Sequence, residues 1–484
     1  MALEFISFDM ADQQHFHLIG ICGTAMASLA GMLKERGMHV TGSDAAAYPP
    51  MSDFLASLGI PVAQPYSETN LKPRPHVVVV GNAISRGNCE LEYVLNERIP
   101  MRSLPQVLQE NFLCAHEPVV VAGTHGKTTT TSMLAWIFEV AERRPSFLIG
   151  GIAENFGSSF GVRQGRPFII EGDEYDTAFF DKGPKFLHYM PDSVVLTSVE
   201  YDHADIYPDL EAVKTAFKRL VNLVPRRGTI VAWDGSPSIN ECVARAFCKV
   251  ERYGFSENAD WQIKDIRYEP QRTTWSVFRN GQRWSDFDFS LAGEYNVLNA
   301  TAAAAMASAY GIARESIYSA LKTFRSVKRR LEVKAEVNGI TIVDDFAHHP
   351  TAIAGTLKAL RTRYPAAKLW AVFEPRSATL RRKVFEDELI RSLSMADQIV
   401  VASVFKADAI PEDQRLSPTA IVDGLLRAGK PAREFKDADV IVNAIAPELR
   451  AGDVVAILSN GGFGGIYEKL PERLRSRCEV ASGA

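Results

Sequence analysis

The chain has 484 residues, too many for one hydrophobic core at roughly 100–200 residues per domain, so about three domains are expected. Hydrophobic residues make up 46% and charged residues 23%, an ordinary globular mixture. The 54 basic and 58 acidic residues leave a formal charge of −4, which argues against non-specific nucleic-acid binding, and no apolar run approaches the ~20 residues that span a bilayer.

Met1 to Gln14 carries acids and no basic n-region, so no signal peptide is expected there. The six cysteines (Cys22, Cys89, Cys114, Cys242, Cys248 and Cys478) form no C-x-x-C pair and read as reduced thiols of a cytoplasmic protein.

Residues 1–115 alternate short β-rich runs with helical ones. His17 to Gly20 reads as a strand, Thr24 to Arg36 as a helix, His39 to Thr41 as a strand and Val77 to Val80 as a fully buried strand. This is a parallel, Rossmann-like α/β pattern with helical crossovers. Gly20-Ile-Cys22-Gly23-Thr-Ala25-Met26 sits at a strand-to-helix turn, with Asp44 about 20 residues on, as in dinucleotide-binding folds. Cys22 and Ala25 stand where the second and third glycines belong, so a plain βα turn and a nucleotide site both fit.

Residues 116–327 read as a central phosphate-loop α/β domain. Val119 to Val121 runs into Gly123-Thr124-His125-Gly126-Lys127-Thr128-Thr129-Thr130, and a helix is expected over Ser132 to Ala141. Glycines there let backbone N–H groups turn towards phosphate oxygens, the lysine neutralises their charge, and the first threonine can ligate Mg²⁺. Val121 replaces the usual first glycine, which points to a shortened loop of an ATPase class. Further strands are expected at Phe168 to Ile170, Val194 to Leu196 and Ile230 to Ala232, antiparallel strands over Trp261 to Ser290, and a helix over Asn299 to Tyr310. Two acidic clusters, Glu171 to Asp176 and Glu200 to Asp205 with His203, follow strands and should face the phosphate loop. Such carboxylate density repels itself unless a cation relieves it, and oxygen-rich ligation suits Mg²⁺.

A basic linker, Arg325 to Arg330, leads into residues 328–484, a third, Rossmann-like α/β unit. Its strands are expected at Ile340 to Val343, Leu369 to Phe373, Ile399 to Ser403 and Val454 to Leu458. Asp344-Asp345-Phe-Ala-His348-His349-Pro350 and the glycine-rich Ser459 to Gly465 each follow a strand. Arg376-Ser377 follows the strand ending at Phe373 and suits a carboxylate ligand, unless Arg376 pairs with Glu374 or Glu386.

Taken in this order, these motifs resemble the Mur ligase superfamily over essentially the whole chain. Gly123 to Thr128, Glu171 to Asp176 and Glu200 to His203 match its ATPase domain, and Gly293-Glu-Tyr-Asn296 to Ala303 its adenine-contacting segment. Arg329-Arg330-Leu-Glu332 matches its interdomain arginine, and Asp344 to Pro350 its C-terminal signature. The resemblance implies a cytoplasmic ATP-dependent amide-bond ligase in which Gly123 to Thr129, Asn296, Arg330 and Asp345 bind ATP. Lys127 would hold the γ-phosphate, Thr128, Glu171 and His203 would serve Mg²⁺, and Lys127, His203, Glu171 and Arg330 would be catalytic. Gly20, Gly23, Thr24, Asp44, Asn82 and Asn155 would hold a UDP-sugar. A histidine beside a hard metal is not expected from ligand softness, so His203 rests on the resemblance. Lys218 is a candidate for the carbamylated lysine that some members carry.

Within the superfamily, Gly20 to Met26 and Gly42 to Asp44 resemble two enzymes that accept UDP-N-acetylmuramate. One adds L-alanine, and the other adds the recovered tripeptide L-alanyl-γ-D-glutamyl-meso-diaminopimelate. Phe179 to Pro191, Gly81 to Asn88, Glu374 to Ser377 and Ser459 to Gly465 look like the second, with His348, Arg376, Ser377, Asn460 and Gly461 as peptide contacts. Two readings of other classes compete: a phosphate-loop motor or transport subunit, against which the Gly293 and Asp344 motifs argue, and a nicotinamide oxidoreductase, against which the broken N-terminal glycine pattern argues.

Overall fold

Apolar runs that are buried on both faces build three separate sheets, and the chain visits them in order. The structure, a computed structural model, describes residues 14–47 and 51–481, with side chains described up to residue 476. The N-terminal segment read as lacking a signal peptide (save Gln14), and the side chain of Cys478, lie outside the described residues.

The first sheet has five parallel strands in the order Val62–Ala63, His39–Ser43, His15–Ile19, Val77–Val80, Met101–Ser103. Strand order reverses on either side of His15–Ile19, so a crevice opens at its C-terminal end, where the Gly20 to Gly23 turn lies. The helix Thr24–Glu35 that follows is buried from Met26 to Leu33. Its Gly31 comes so close to the central domain that an added Cβ would lie 2.6 Å from Phe160.

The second sheet has ten strands. Its parallel centre includes Ser193–Leu196, Glu117–Ala122 and Pro167–Gly172, side by side. The antiparallel strands Trp261–Glu269, Arg272–Arg279 and Gln282–Phe289 extend one edge, as the alternating aromatic and polar residues predict. The helices Lys127–Val140 and Glu294–Ala309 pack together, and the many buried alanines of the second permit that close approach. The third sheet has six strands in the order Glu332–Val337, Ile340–Asp345, Val454–Leu458, Leu369–Phe373, Gln398–Ala402, Ala432–Phe435, and only its first pair is antiparallel.

Three α/β domains with parallel central strands are therefore present, and several element limits move. The helix expected from Ser132 begins at Lys127, and the one expected from Asn299 begins at Glu294. Both open with polar turns that no apolar periodicity marks. The strand expected to end at Val343 runs on to Asp345, because Asp344 and Asp345 continue the parallel pairing with Ile457 and Leu458, their carboxylates being met by Arg329 and by Leu331 N–H. A short hairpin pairs Asp176–Ala178 with Asp181–Pro184, the second strand lying within the Phe179 to Pro191 segment. Among the described residues, five cysteines are free and no helix is long and apolar enough to cross a membrane.

Candidate active site

The strand Glu117–Ala122 delivers the loop 123–126 straight to the N-terminus of the helix Lys127–Val140. Gly123 and Gly126 have φ of 145° and 79°, and the space around them is closed. A Cβ on Gly123 would meet Thr197 Oγ1 at 2.2 Å, and one on Gly126 would meet Asn299 Oδ1 at 2.5 Å. The loop is braced on the neighbouring strand's exit: Thr124 N–H donates to Ser198 O at 3.1 Å and His125 N–H to Ser198 Oγ at 2.7 Å.

The acids reach this loop from the parallel neighbour Pro167–Gly172. Thr128 Oγ1 donates to Glu171 Oε1 at 3.0 Å, and Gly150 N–H donates to the other carboxylate oxygen at 2.8 Å. Lys127 Nζ donates to Gly123 O at 2.6 Å and to Glu174 Oε2 at 2.8 Å. His203 Nε2 lies 3.5 Å from Glu174 Oε1, and Lys185 Nζ lies 2.6 Å from Asp173 Oδ2. Arg330 Nη2 donates to Thr128 Oγ1 at 3.3 Å, which carries the basic linker to the loop.

Burial and charge act against each other here. Burial raises Glu171 and Asp345 above the usual carboxylate range, although Lys127 and Arg330 respectively pull them back. Burial also penalises charged Glu174, but Lys127 and His203 outweigh it and hold Glu174 low. The same pair works on the cations: burial opposes their charge, yet Glu174 leaves Lys127 and His203 raised.

Lys127, Glu171, His203, Arg330 and Asp345 line a cavity of about 1020 Å³ to which all three domains contribute. From the first domain come Gly20, Gly23, Thr24 and Asn82. The central domain supplies Thr124 to Thr129, Glu171, His203 and Asn296, and the linker and third domain supply Arg330, Asp345 and His348. The expectation that both acidic clusters face the loop is met.

Other sequence-derived candidates lie off the cavity lining. Gly123 opens the loop and accepts Lys127 Nζ on its carbonyl, and Asp44 braces the N-terminal turn by accepting Cys22 N–H at 2.8 Å. The Asn155 amide donates to Thr323 O at 3.0 Å and accepts Arg325 N–H at 2.8 Å, so it ties the linker to its own domain. Lys218 neighbours Glu241 and Cys242. Arg376, Ser377, Asn460 and Gly461 form a separate cluster in the third domain. Arg376 stacks 3.7 Å over Phe405, lies 3.4 Å from Glu374, and occupies the space a Cβ on Gly461 would need. The Glu374 pairing weighed from sequence is thus present, and Glu386 instead accepts Ser417 N–H.

Two contributors were not singled out in the sequence. Glu174 belonged to a named acidic cluster without a role of its own, although its spacing from Glu171 was visible. Thr379, whose hydroxyl donates to Asp202 Oδ1 at 2.7 Å and whose oxygen accepts Ala204 N–H at 3.2 Å, pins the His203 turn to the third domain. No local signal marks a pair 177 residues apart.

Comparison with known proteins follows the same three-part division. Family models match residues 15–113 (Mur ligase family, catalytic domain), 121–307 (Mur ligase middle domain) and 329–461 (Mur ligase, glutamate ligase domain). The chain is 39% identical over 466 residues to the UDP-N-acetylmuramate–L-alanyl-γ-D-glutamyl-meso-2,6-diaminoheptandioate ligase of Escherichia coli K12, covering 96% of this chain and 99% of that one. It is 31% identical over 477 residues to the UDP-N-acetylmuramate–L-alanine ligase of Lachnoclostridium phytofermentans, again covering 96% and 99%. A crystal structure of a murein peptide ligase from Psychrobacter arcticus superposes with a TM-score of 0.73 at 35% identity, covering 96% of this chain and 99% of that one.

Proposed function

The chain belongs to the Mur ligase family, ATP-dependent ligases that form C–N bonds, and we propose that it joins UDP-N-acetylmuramate to a recovered cell-wall tripeptide. The tripeptide is L-alanyl-γ-D-glutamyl-meso-diaminopimelate, and the reaction returns it to peptidoglycan synthesis in the cytoplasm. The observation that carries this reading is the shared cavity, where a phosphate loop, a Rossmann-like turn and the third domain's Asp345 and His348 meet. We place the domain limits near residues 115 and 327, a division supported by a separate large sheet in each part. Identity of 39% to the tripeptide ligase against 31% to the alanine ligase favours the peptide as amine donor.

A carboxylate resists amine attack because its oxygen is a poor leaving group. The γ-phosphoryl group of ATP passes to the muramyl carboxylate and forms an acyl phosphate. The peptide's amine then attacks the carbonyl carbon, and the tetrahedral intermediate expels phosphate. Such chemistry asks the protein mainly to position groups and offset charge. The loop N–H groups and Lys127 receive the phosphates, Arg330 approaches from the linker, and Asn296 and Asp345 flank the nucleotide. Gly20, Gly23, Thr24 and Asn82 receive the UDP-sugar, with Asp44 holding their turn in shape. His348 and the Arg376, Ser377, Asn460 and Gly461 cluster serve the peptide.

The residues present fit magnesium. Thr128 and Glu171 offer oxygen donors side by side, and Asp173, Glu174 and His203 bring one donor atom each within 4.8 Å of the others. When bound there, Mg²⁺ supplies charge neutralisation at the phosphates.

Mass spectrometry of products from ATP, UDP-N-acetylmuramate and a panel of amines tests this function. The expected product carries the tripeptide. Efficient ligation of L-alanine with none of the tripeptide moves the chain to the alanine-adding branch, and ATP hydrolysis that ignores the UDP-sugar points to a motor.

A further inference from the structure

Beside the phosphate loop, three side chains from separate segments converge. His125 belongs to the loop, Glu200 follows the strand Ser193–Leu196, and His349 is the N-cap of the third-domain helix Pro350–Arg363. One donor atom of each lies within 4.8 Å of the others. His125 Nε2 is 3.4 Å from Glu200 Oε2, and His349 Nδ1 is 3.7 Å from the same oxygen. The two rings sit 4.5 Å apart at 44°, too tilted to stack flat.

Hydrogen bonding leaves this group incompletely used. His125 Nε2 is buried and has no hydrogen-bond partner. His349 Nε2 lies 3.3 Å from Tyr201 O, a carbonyl that can only accept, so the proton belongs on Nε2 and the lone pair on Nδ1, the atom 3.7 Å from Glu200 Oε2. That lone pair receives a long contact from Thr351 N–H at 3.3 Å, while Thr351 Oγ1 donates to Glu200 Oε2 at 2.7 Å. A carbonyl behind the distal ring nitrogen is the usual support of a metal-ligating histidine. A tetrahedral ion with ligands at about 2.0–2.1 Å places its donors about 3.3–3.4 Å apart, near the 3.4 and 3.7 Å that separate the two imidazole nitrogens from Glu200 Oε2. Two imidazoles with one carboxylate suit zinc-like ions, whereas Mg²⁺ prefers oxygen alone.

We propose that His125, Glu200 and His349 form a binding site for a zinc-type dication, distinct from the magnesium donors and bridging the phosphate loop to the third domain. Three protein ligands leave one position for water. Because His349 rides on the third domain and the other two on the central domain, a bound ion holds the domains together over the loop. Domain opening is what product release from such a cleft requires, so occupancy slows turnover.

The test uses the full chain without a histidine tag, stripped by chelator and held in millimolar Mg²⁺ so that the oxygen-rich donors are saturated. Zn²⁺ alone is titrated calorimetrically, and Co²⁺ alone is followed by visible absorption. One ion per chain should bind at micromolar or tighter concentration, with the intense Co²⁺ bands of a low-coordinate, nitrogen-ligated site. His125→Gln and His349→Gln should each weaken binding by about 10–100-fold or more. His203→Gln, in the other donor cluster, should leave it within about threefold. Absence of stoichiometric Zn²⁺ binding above Mg²⁺ overturns the proposal, as does affinity unchanged in both first variants, or lost in His203→Gln. Should the variants not fold, the unaltered chain still decides: Zn²⁺ in excess Mg²⁺ should raise its unfolding temperature, and no shift overturns the site.

Discussion

Lys127 and Glu174 form an ion pair of 2.8 Å with side chains only 13% and 3% exposed, at the mouth of the phosphate loop. Glu174 shares its charge between this lysine and His203, so the loop's cation is tethered to the acidic cluster. Replacing Lys127 by Ala should leave the fold intact, because Glu174 keeps His203 as a partner. Turnover should fall by about 10²–10³ or more, the usual loss of one preorganised charge. Steady-state ligation assays on the folded variant check this, and near-normal rates would remove the loop from the mechanism.

The metal assignment is tested at two strand ends. Glu171→Ala removes the carboxylate that holds Thr128 Oγ1, and His203→Ala removes a donor beside Glu174. Each should raise the Mg²⁺ concentration needed for half-maximal activity by about 10-fold or more. Parental Mg²⁺ dependence in both variants would show that these residues do not serve the ion.

Acid stability should depend on His15, far from the cleft. Burial first, then the neighbouring His39, His17 and His76, lowers its pKa to about 4. Its Nε2 is 2.9 Å from Thr41 Oγ1. With the folded value below the unfolded one near 6.5, the unfolded chain takes up the proton first. Stability from this group is therefore full above about pH 6.5 and is lost as pH falls towards 4. His15→Gln should flatten the fall in unfolding temperature over that range, relative to the parent. Equal slopes in both proteins would mean that His15 is not held neutral.

Much of this fold was legible because its central strands are uninterrupted apolar runs. Val77–Val80, Leu369–Phe373 and Val454–Leu458 lie where their hydrophobicity puts them. Helix starts were misplaced where function replaces apolar residues. Lys127 to Thr129 and Tyr295 to Asn296 line the cavity at their helix starts, so the hydrophobic period begins late. Site residues within one motif were readable, since a strand end and a phosphate loop must face the same crevice. Partners across domains were not: Thr351 meets Glu200 and Thr379 meets Asp202 only through the docking of the third domain. Asn155, a motif position, has its amide hydrogen-bonded to the backbone of residues 323 and 325, a contact that no local pattern announces.

The amine substrate is the sharpest remaining question, and Arg376 addresses it. A free amino acid needs a small pocket with one carboxylate partner, whereas a tripeptide ending in diaminopimelate carries several carboxylates. The third domain offers a cation packed against a glycine-rich turn. Arg376 lies flat on Phe405, with its guanidinium shared with Glu374 at 3.4 Å, and threads past Gly461, where any side chain would collide. Glu374 also accepts the Ser459 hydroxyl at 2.5 Å, so the arginine and the glycine-rich turn are locked into one unit. An arginine held this way presents its remaining N–H groups in fixed directions, the arrangement that suits a carboxylate ligand. Arg376→Ala should therefore raise the peptide KM by about 10-fold or more while the ATP KM changes less than about threefold. Arg376→Lys should recover only part of the loss, because an ammonium lacks the planar fork. Equal rises in both KM values would assign Arg376 to the shape of the third domain, and unchanged values would place the peptide elsewhere.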